Sequence, residues 1–128
     1  MKFGYTIFYV ANVPKTLDFY TAAFGLKQAF LHESELYGEL DTGATTLAFA
    51  ADQMAELNGL TIQPNRADAL PAACEIAFVT DDPRAAYDHA TAAGAMPVAE
   101  PAEKPWGQTV AYVRDLNGCL VELCSPIP

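Results

Sequence analysis

Alternating apolar and polar positions open the chain: Tyr5-Thr6-Ile7-Phe8-Tyr9-Val10 is rich in aromatic and β-branched residues and reads as a strand. The period then changes. Asn12 supplies a helix N-cap, Pro14 sits in the first turn, and Val13, Leu17, Tyr20 and Phe24 share one stripe before Gly25 ends the helix. Three short strands are predicted next, at residues 26–32, 37–41 and 45–50, with polar or Gly-containing turns between them. The same order returns further on. A strand at 75–80 leads to a helix from 83 to 93 closed by Gly94, then strands at 97–100, 109–114 and 119–124, the last two joined by the turn Asp115-Leu116-Asn117-Gly118.

Self-similarity on this scale sets the architecture, because it tells which positions are equivalent. Glu75-Ile76-Ala77-Phe78-Val79-Thr80-Asp81-Asp82 repeats the pattern begun at Tyr5, and the comparison sets Tyr5 opposite Glu75 and Ala48 opposite Glu122. The chain therefore reads as a single α+β domain, residues 1–128, made of two β-α-β-β-β modules at about 1–52 and 72–128. Residues 53–71, with Gly59, Pro64 and Pro71, form the linker, and a short helix is expected around 52–57.

Strand parity sorts the side chains. Phe8, Val10, Leu47, Phe49, Ile76, Phe78, Val121 and Leu123 share the face predicted to pack on the helices. The other face carries Tyr5, Ile7, Tyr9, Thr46, Ala48, Glu75, Ala77, Leu120 and Glu122. Isolated glutamates among apolar residues on that second face suggest a concave surface that encloses a ligand.

Composition narrows the partners. With 7 basic against 16 acidic residues, the net charge of −9 disfavours nucleic acid and anionic membranes, which need a positive patch, and favours a cationic or neutral small molecule. The same acidity also serves solubility. No apolar run approaches the roughly 20 residues that span a bilayer, and the N-terminus lacks the pattern of a signal peptide, so a cytoplasmic location is the expectation. Cys74, Cys119 and Cys124 form no C-x-x-C pair and are expected to be small buried residues.

The paired modules, the segment Asp18-Phe19-Tyr20 and the terminal stretch from Tyr112 to Leu123 resemble the vicinal oxygen chelate superfamily. That group includes lactoylglutathione lyases, bleomycin- and fosfomycin-resistance proteins and extradiol dioxygenases. The resemblance implies curved mixed sheets around a central cavity, and a homodimer. It implies metal ligands on the first and last strand of each module, positions held here by Tyr5, Ala48, Glu75 and Glu122. Glu122 keeps the superfamily's usual glutamate, Glu75 stands where histidine is common, Tyr5 replaces histidine or glutamine, and Ala48 has no donor atom. The two-histidine-one-carboxylate set that suits iron, manganese or zinc is absent.

Three chemistries remain open for Glu75 and Glu122. They could bridge a weakly held divalent cation such as Mg or Mn, with Tyr5 or Tyr9 handling a proton in a metal-assisted enzyme, share a proton so that one acts as general acid or base, or bind a cationic ligand group. A structural hydrogen bond to Tyr5 or Arg114 is the plain alternative for Glu122. Trp106, between Pro105 and Gly107, offers a flat stacking surface or simply covers the sheet edge. Tyr9, Tyr37 and Ala48 are candidate ligand-lining positions, with packing as the alternative for the tyrosines. His32 and His89 have no spaced metal-binding partner, and the two glycines at 38 and 43 do not follow phosphate-loop spacing. These readings converge on a small-molecule binding protein with a degenerate metal site, or alternatively a metal-dependent lyase, isomerase or dioxygenase.

Overall fold

The computed structural model describes residues 1–128 and contains two compact units, Met1–Asn65 and Arg66–Pro128. In the first, β1 (Tyr5–Val10), α1 (Val13–Phe24), β2 (Gln28–Leu31), β3 (Tyr37–Leu40) and β4 (Thr46–Ala51) are followed by the short α2 (Asp52–Leu57). In the second, β5 (Glu75–Val79) and α3 (Pro83–Ala92) lead to β6 (Met96–Glu103), β7 (Thr109–Arg114) and β8 (Leu120–Cys124). Each unit builds one four-stranded mixed sheet, in the orders β1-β4-β3-β2 and β5-β8-β7-β6, with only the first pair of each parallel. The fold is α+β, with two modules of the same topology.

Local chemistry explains why both helices start where they do. Asn12 caps α1 by accepting the Lys15 backbone N–H at 3.0 Å, and Asp82 caps α3 by accepting that of Ala85 at 2.9 Å. A proline follows each cap, where its missing N–H costs nothing. The stripe on α1 then buries Val13, Leu17 and Tyr20, with the Tyr20 ring 4.9 Å from that of Phe49 on β4. In the second unit, Tyr87 and Ala90 of α3 belong to the core with Val113, Val121 and Leu123. Phe8, Ile76 and Phe78 are only half-buried, because β1 and β5 are edge strands with a neighbour on one side.

The strand boundaries agree with expectation to within a residue or two, except at the end of β6. β2 is Gln28–Leu31, shorter than the predicted 26–32. β6 runs from Met96 to Glu103, twice the predicted span, and carries two register irregularities against β7. Pro97 and Pro101 obscured it. They are tolerated because β6 is an edge strand that needs ladder donors on one side only. Cys74 corrects a second expectation: it is exposed, just before β5, whereas Cys119 and Cys124 are buried.

The stretch expected to be a loose linker is fastened to both units. α2 packs on β1 and β4, and the Asn65 side-chain amide donates to the Tyr9 carbonyl at 3.0 Å. On the other side of the boundary, the Arg114 guanidinium donates to the carbonyls of Ala69 (2.6 Å), Ala67 (3.4 Å) and Gly118 (2.8 Å). Gly118 has φ +85°, and a Cβ there would strike the Arg66 carbonyl and the Arg114 side chain. Asp115, wholly buried, closes the turn by accepting the backbone N–H groups of Asn117 and Cys119 at 2.8 and 2.9 Å.

Gly38 is the point where α1 approaches β3. A Cβ at that position would lie 2.6 Å from Leu17 Cδ1 and 3.2 Å from the Phe30 carbonyl. Gly38→Ala is expected to destabilise the protein by about 1–3 kcal/mol through overpacking, read as a lowered urea midpoint with an unchanged slope.

Candidate functional site

Sheet register brings Glu75, Glu122 and Tyr112 onto one face of the second unit. β5 and β8 run parallel with Ala77 beside Glu122, which sets Glu75 diagonally from Glu122 across the strand pair. β7 and β8 run antiparallel with Tyr112 directly opposite Glu122. The Tyr112 hydroxyl donates to Glu122 Oε2 at 3.3 Å, and the Glu75 carboxyl lies near enough to interact with both. Glu122 is half-buried and Glu75 is exposed.

Two carboxyls this close cannot both ionise freely. The hydrogen bond to Glu122 holds the Glu75 proton on and raises Glu75 above the usual carboxylate range. Burial and the charge of Glu122 push the same way, and the Tyr112 hydrogen bond opposes them. Burial, followed by the charges of Glu122 and Glu75, pushes the Tyr112 phenol up to about 12. The Cys124 thiol is raised to about 11, first by burial and then by a hydrogen bond to Glu122, so it is a poor nucleophile at neutral pH. The patch is therefore a proton-rich cluster of hydrogen-bonding groups.

Tyr112 was not singled out from the sequence. Counting outward from the expected Asp115–Gly118 turn would set Tyr112 opposite Val121, whereas in the structure Asp115 bonds back to Cys119, so Arg114 pairs with Leu120 and Tyr112 with Glu122. The partner of Glu122 is thus Tyr112, where Tyr5 or Arg114 had been expected.

The other candidates occupy different surroundings. Tyr5 is 58% exposed on β1, and Tyr9 is half-buried with its carbonyl held by Asn65. Ala48, at 0% exposure, is fully covered and presents no surface to a ligand in this conformation. Tyr37 donates its hydroxyl to Glu39 Oε2 at 2.8 Å. Trp106 is 60% exposed, which does not match a residue covering the sheet edge. Its indole N–H donates to Gln108 Oε1 at 2.8 Å, and buried Gln108 in turn donates to the Ser125 carbonyl. His32 Nδ1 lies in its own turn, bonded to Ser34, and His89 is exposed on α3.

A resident transition metal does not fit these donors. No group of three or more His, Cys, Asp or Glu side chains is placed to hold an ion, and the position equivalent to Glu122 in the first unit is a buried alanine. Firm divalent sites recruit three or four protein ligands, or six oxygens for the hard cations.

Comparison with known proteins agrees with this topology. A family model describing the Glyoxalase/Bleomycin resistance protein/Dioxygenase superfamily matches residues 2–123, and the chain belongs to that superfamily. Among solved structures, a glyoxalase-related enzyme from Fulvimarina pelagi superposes with a TM-score of 0.84 at 18% identity, covering 98% of this chain and 88% of that one. TioX from Micromonospora sp. ML1 gives 0.74 at 20% identity, covering 98% of both chains. A glyoxalase/bleomycin resistance protein/dioxygenase family enzyme from Burkholderia phytofirmans PsJN gives 0.75 at 21% identity, also covering 98% of both. At such identities the likeness concerns the fold. No curated protein matches the sequence. No helix is long and apolar enough to cross a membrane.

The carboxyl pair makes a titration prediction. Glu75 should titrate above the ordinary 4.5 of a glutamate, and Glu122→Gln should lower its value, both read by carboxyl ¹³C NMR. A raised acid binds its proton more tightly in the folded state. Its contribution to stability is present below pH 4.5 and is lost as pH rises through the raised value. The melting temperature should therefore fall across that window in the wild type, and less steeply in Glu122→Gln.

Proposed function

We propose that this protein binds a small organic molecule and that the Glu75–Glu122–Tyr112 cluster is its polar anchor. The observation that carries this reading is the convergence of Glu75, Glu122 and the Tyr112 hydroxyl on one sheet face, where Tyr112 donates to Glu122 at 3.3 Å beside Ala77, Leu120 and exposed Val79. Such a pair offers a donor and an acceptor side by side, which suits an amide, a hydroxyl or an amine of a metabolite or antibiotic-like ligand. Exposed Trp106, fixed through its indole N–H, supplies a rigid aromatic plane for stacking a flat ligand. Superfamily membership supports a homodimer, and the acidic composition and absence of a long apolar helix are compatible with a cytoplasmic protein.

A second reading is favoured by the proton that Glu75 retains. A carboxyl with a raised pKa beside a second carboxyl is the arrangement of a general acid and base. In that case the protein is an isomerase or lyase of the lactoylglutathione-lyase type, with Glu122 taking a proton from substrate and Glu75 returning it; the dioxygenase alternative would need an oxygen-activating metal that these donors do not fit. Tyr112 orients Glu122, and Tyr5 remains a candidate for proton handling.

Elemental analysis of protein purified without chelators, combined with turnover assays, separates the readings. Substoichiometric Mg, Mn, Fe and Zn, together with no turnover of thiohemiacetals or catechols with or without added Mn²⁺, is the expected result. Metal-independent turnover lost in Glu122→Gln would favour the second reading. Stoichiometric metal that disappears in Glu122→Gln would overturn the binding-only reading.

A further inference from the structure

The first unit carries a Tyr–Glu pair of its own, on neither strand that the superfamily resemblance pointed to. Glu39 of β3 lies directly opposite Ala48 of β4, so a carboxylate stands one strand away from the position where the second unit has Glu122. Parity puts Tyr37, two residues earlier, on the same face, and its hydroxyl donates to Glu39 at 2.8 Å. The other partner strand brings Phe30 across from Glu39, with its ring 6.4 Å from that of Tyr37. Tyr5 lies near enough to help raise the Tyr37 phenol above its ordinary value, after burial and the Glu39 hydrogen bond and charge.

Glu39 is half-buried, yet its hydrogen-bond partner is a neutral phenol. The Arg84 ion pairs, to Asp88 and Glu100, lie in the other unit and do not involve it. A carboxylate has about four acceptor sites, and one hydroxyl satisfies one of them. Phe30, at 45% exposure, is its direct neighbour in register. On the far side of β4 the same face continues with Ile7 beside Ala48 and Tyr5 beside Thr46, at 45% and 58% exposure, an open apolar surface with aromatic π-faces that attract cations. A single carboxylate is too few ligands for a metal ion but matches a weakly hydrated organic cation.

We propose that this face of the β1-β4-β3-β2 sheet recognises an organic ammonium group, its charge on Glu39 and its hydrocarbon part on Phe30, Tyr5 and Ile7. The net charge of −9 adds long-range attraction of the same sign. The inference rests on the reading of the protein as a small-molecule binder, and not on the Glu75–Glu122 pair.

Choline and its uncharged carbon isostere, 3,3-dimethylbutan-1-ol, test it by amide NMR titration of the full chain. Choline should shift amides of β2 and β3 and bind at least about fivefold more tightly than the isostere. Glu39→Gln, which keeps an oxygen for Tyr37, should abolish that preference while leaving the spectrum folded. Equal binding of the two probes, or an undiminished preference in Glu39→Gln, overturns the proposal. Shifts confined to β5, β7 and β8 overturn it while leaving the binding function standing. No shift with either probe also overturns it, and the function then rests on the titration and metal analysis of the second unit.

Discussion

The buried Asp115 carboxylate, gripping the backbone N–H groups of Asn117 and Cys119, fixes how β7 meets β8. Because side chains alternate along a strand, a slip of one residue in that hairpin would send Tyr112 to the helix side and leave Glu122 facing Val113 or Ala111. The turn is held from outside as well, since Arg114 ties Gly118 to the carbonyls of the incoming segment. The proton-sharing cluster is thus a product of turn chemistry several residues away. Among the charged and glycine residues of the terminal motif Tyr112–Leu123, Arg114, Asp115 and Gly118 serve that geometry, and Glu122 is the one that faces Tyr112.

The two modules repeat a topology and diverge in where they spend a carboxylate. In one, Glu122 sits on the last strand with Tyr112 beside it. In the other, the last strand has only Ala48, and Glu39 with Tyr37 occupies the neighbouring strand. Both arrangements give a tyrosine hydroxyl bonded to a glutamate on the sheet face away from the helix. The pairing is reached differently in the two, along one strand for Tyr37 and Glu39 and across two strands for Tyr112 and Glu122. A tyrosine also keeps each glutamate from being a bare charge on a hydrophobic surface.

Much of this was legible in the chain. Periodicity placed both helices, most strands and the face shared by Glu75 and Glu122, since period two and period 3.6 are read directly from side-chain order. Partnership across strands was harder. Tyr112 and Glu39 become neighbours of their sites only through register, and register depends on turn geometry that residue types state indirectly. Ala48 and Cys74 show the complementary limit. Position in a strand gives the direction of a side chain, whereas exposure depends on what the surrounding residues cover, which is why the alanine is sealed and the cysteine open. β6 was shortened in the reading because proline usually marks a strand's end, a rule that an edge strand escapes.

The unequal environments of the three cysteines have a practical consequence for spectroscopy. Burial raises the Cys119 and Cys124 thiols to about 12 and about 11 and also shields them sterically, so neither is a ready nucleophile near pH 7. Cys74 alone stands open, one residue before Glu75. The native chain therefore comes with a singular attachment point for a maleimide fluorophore or nitroxide, close enough to the carboxyl pair to sense its occupancy without any engineered handle.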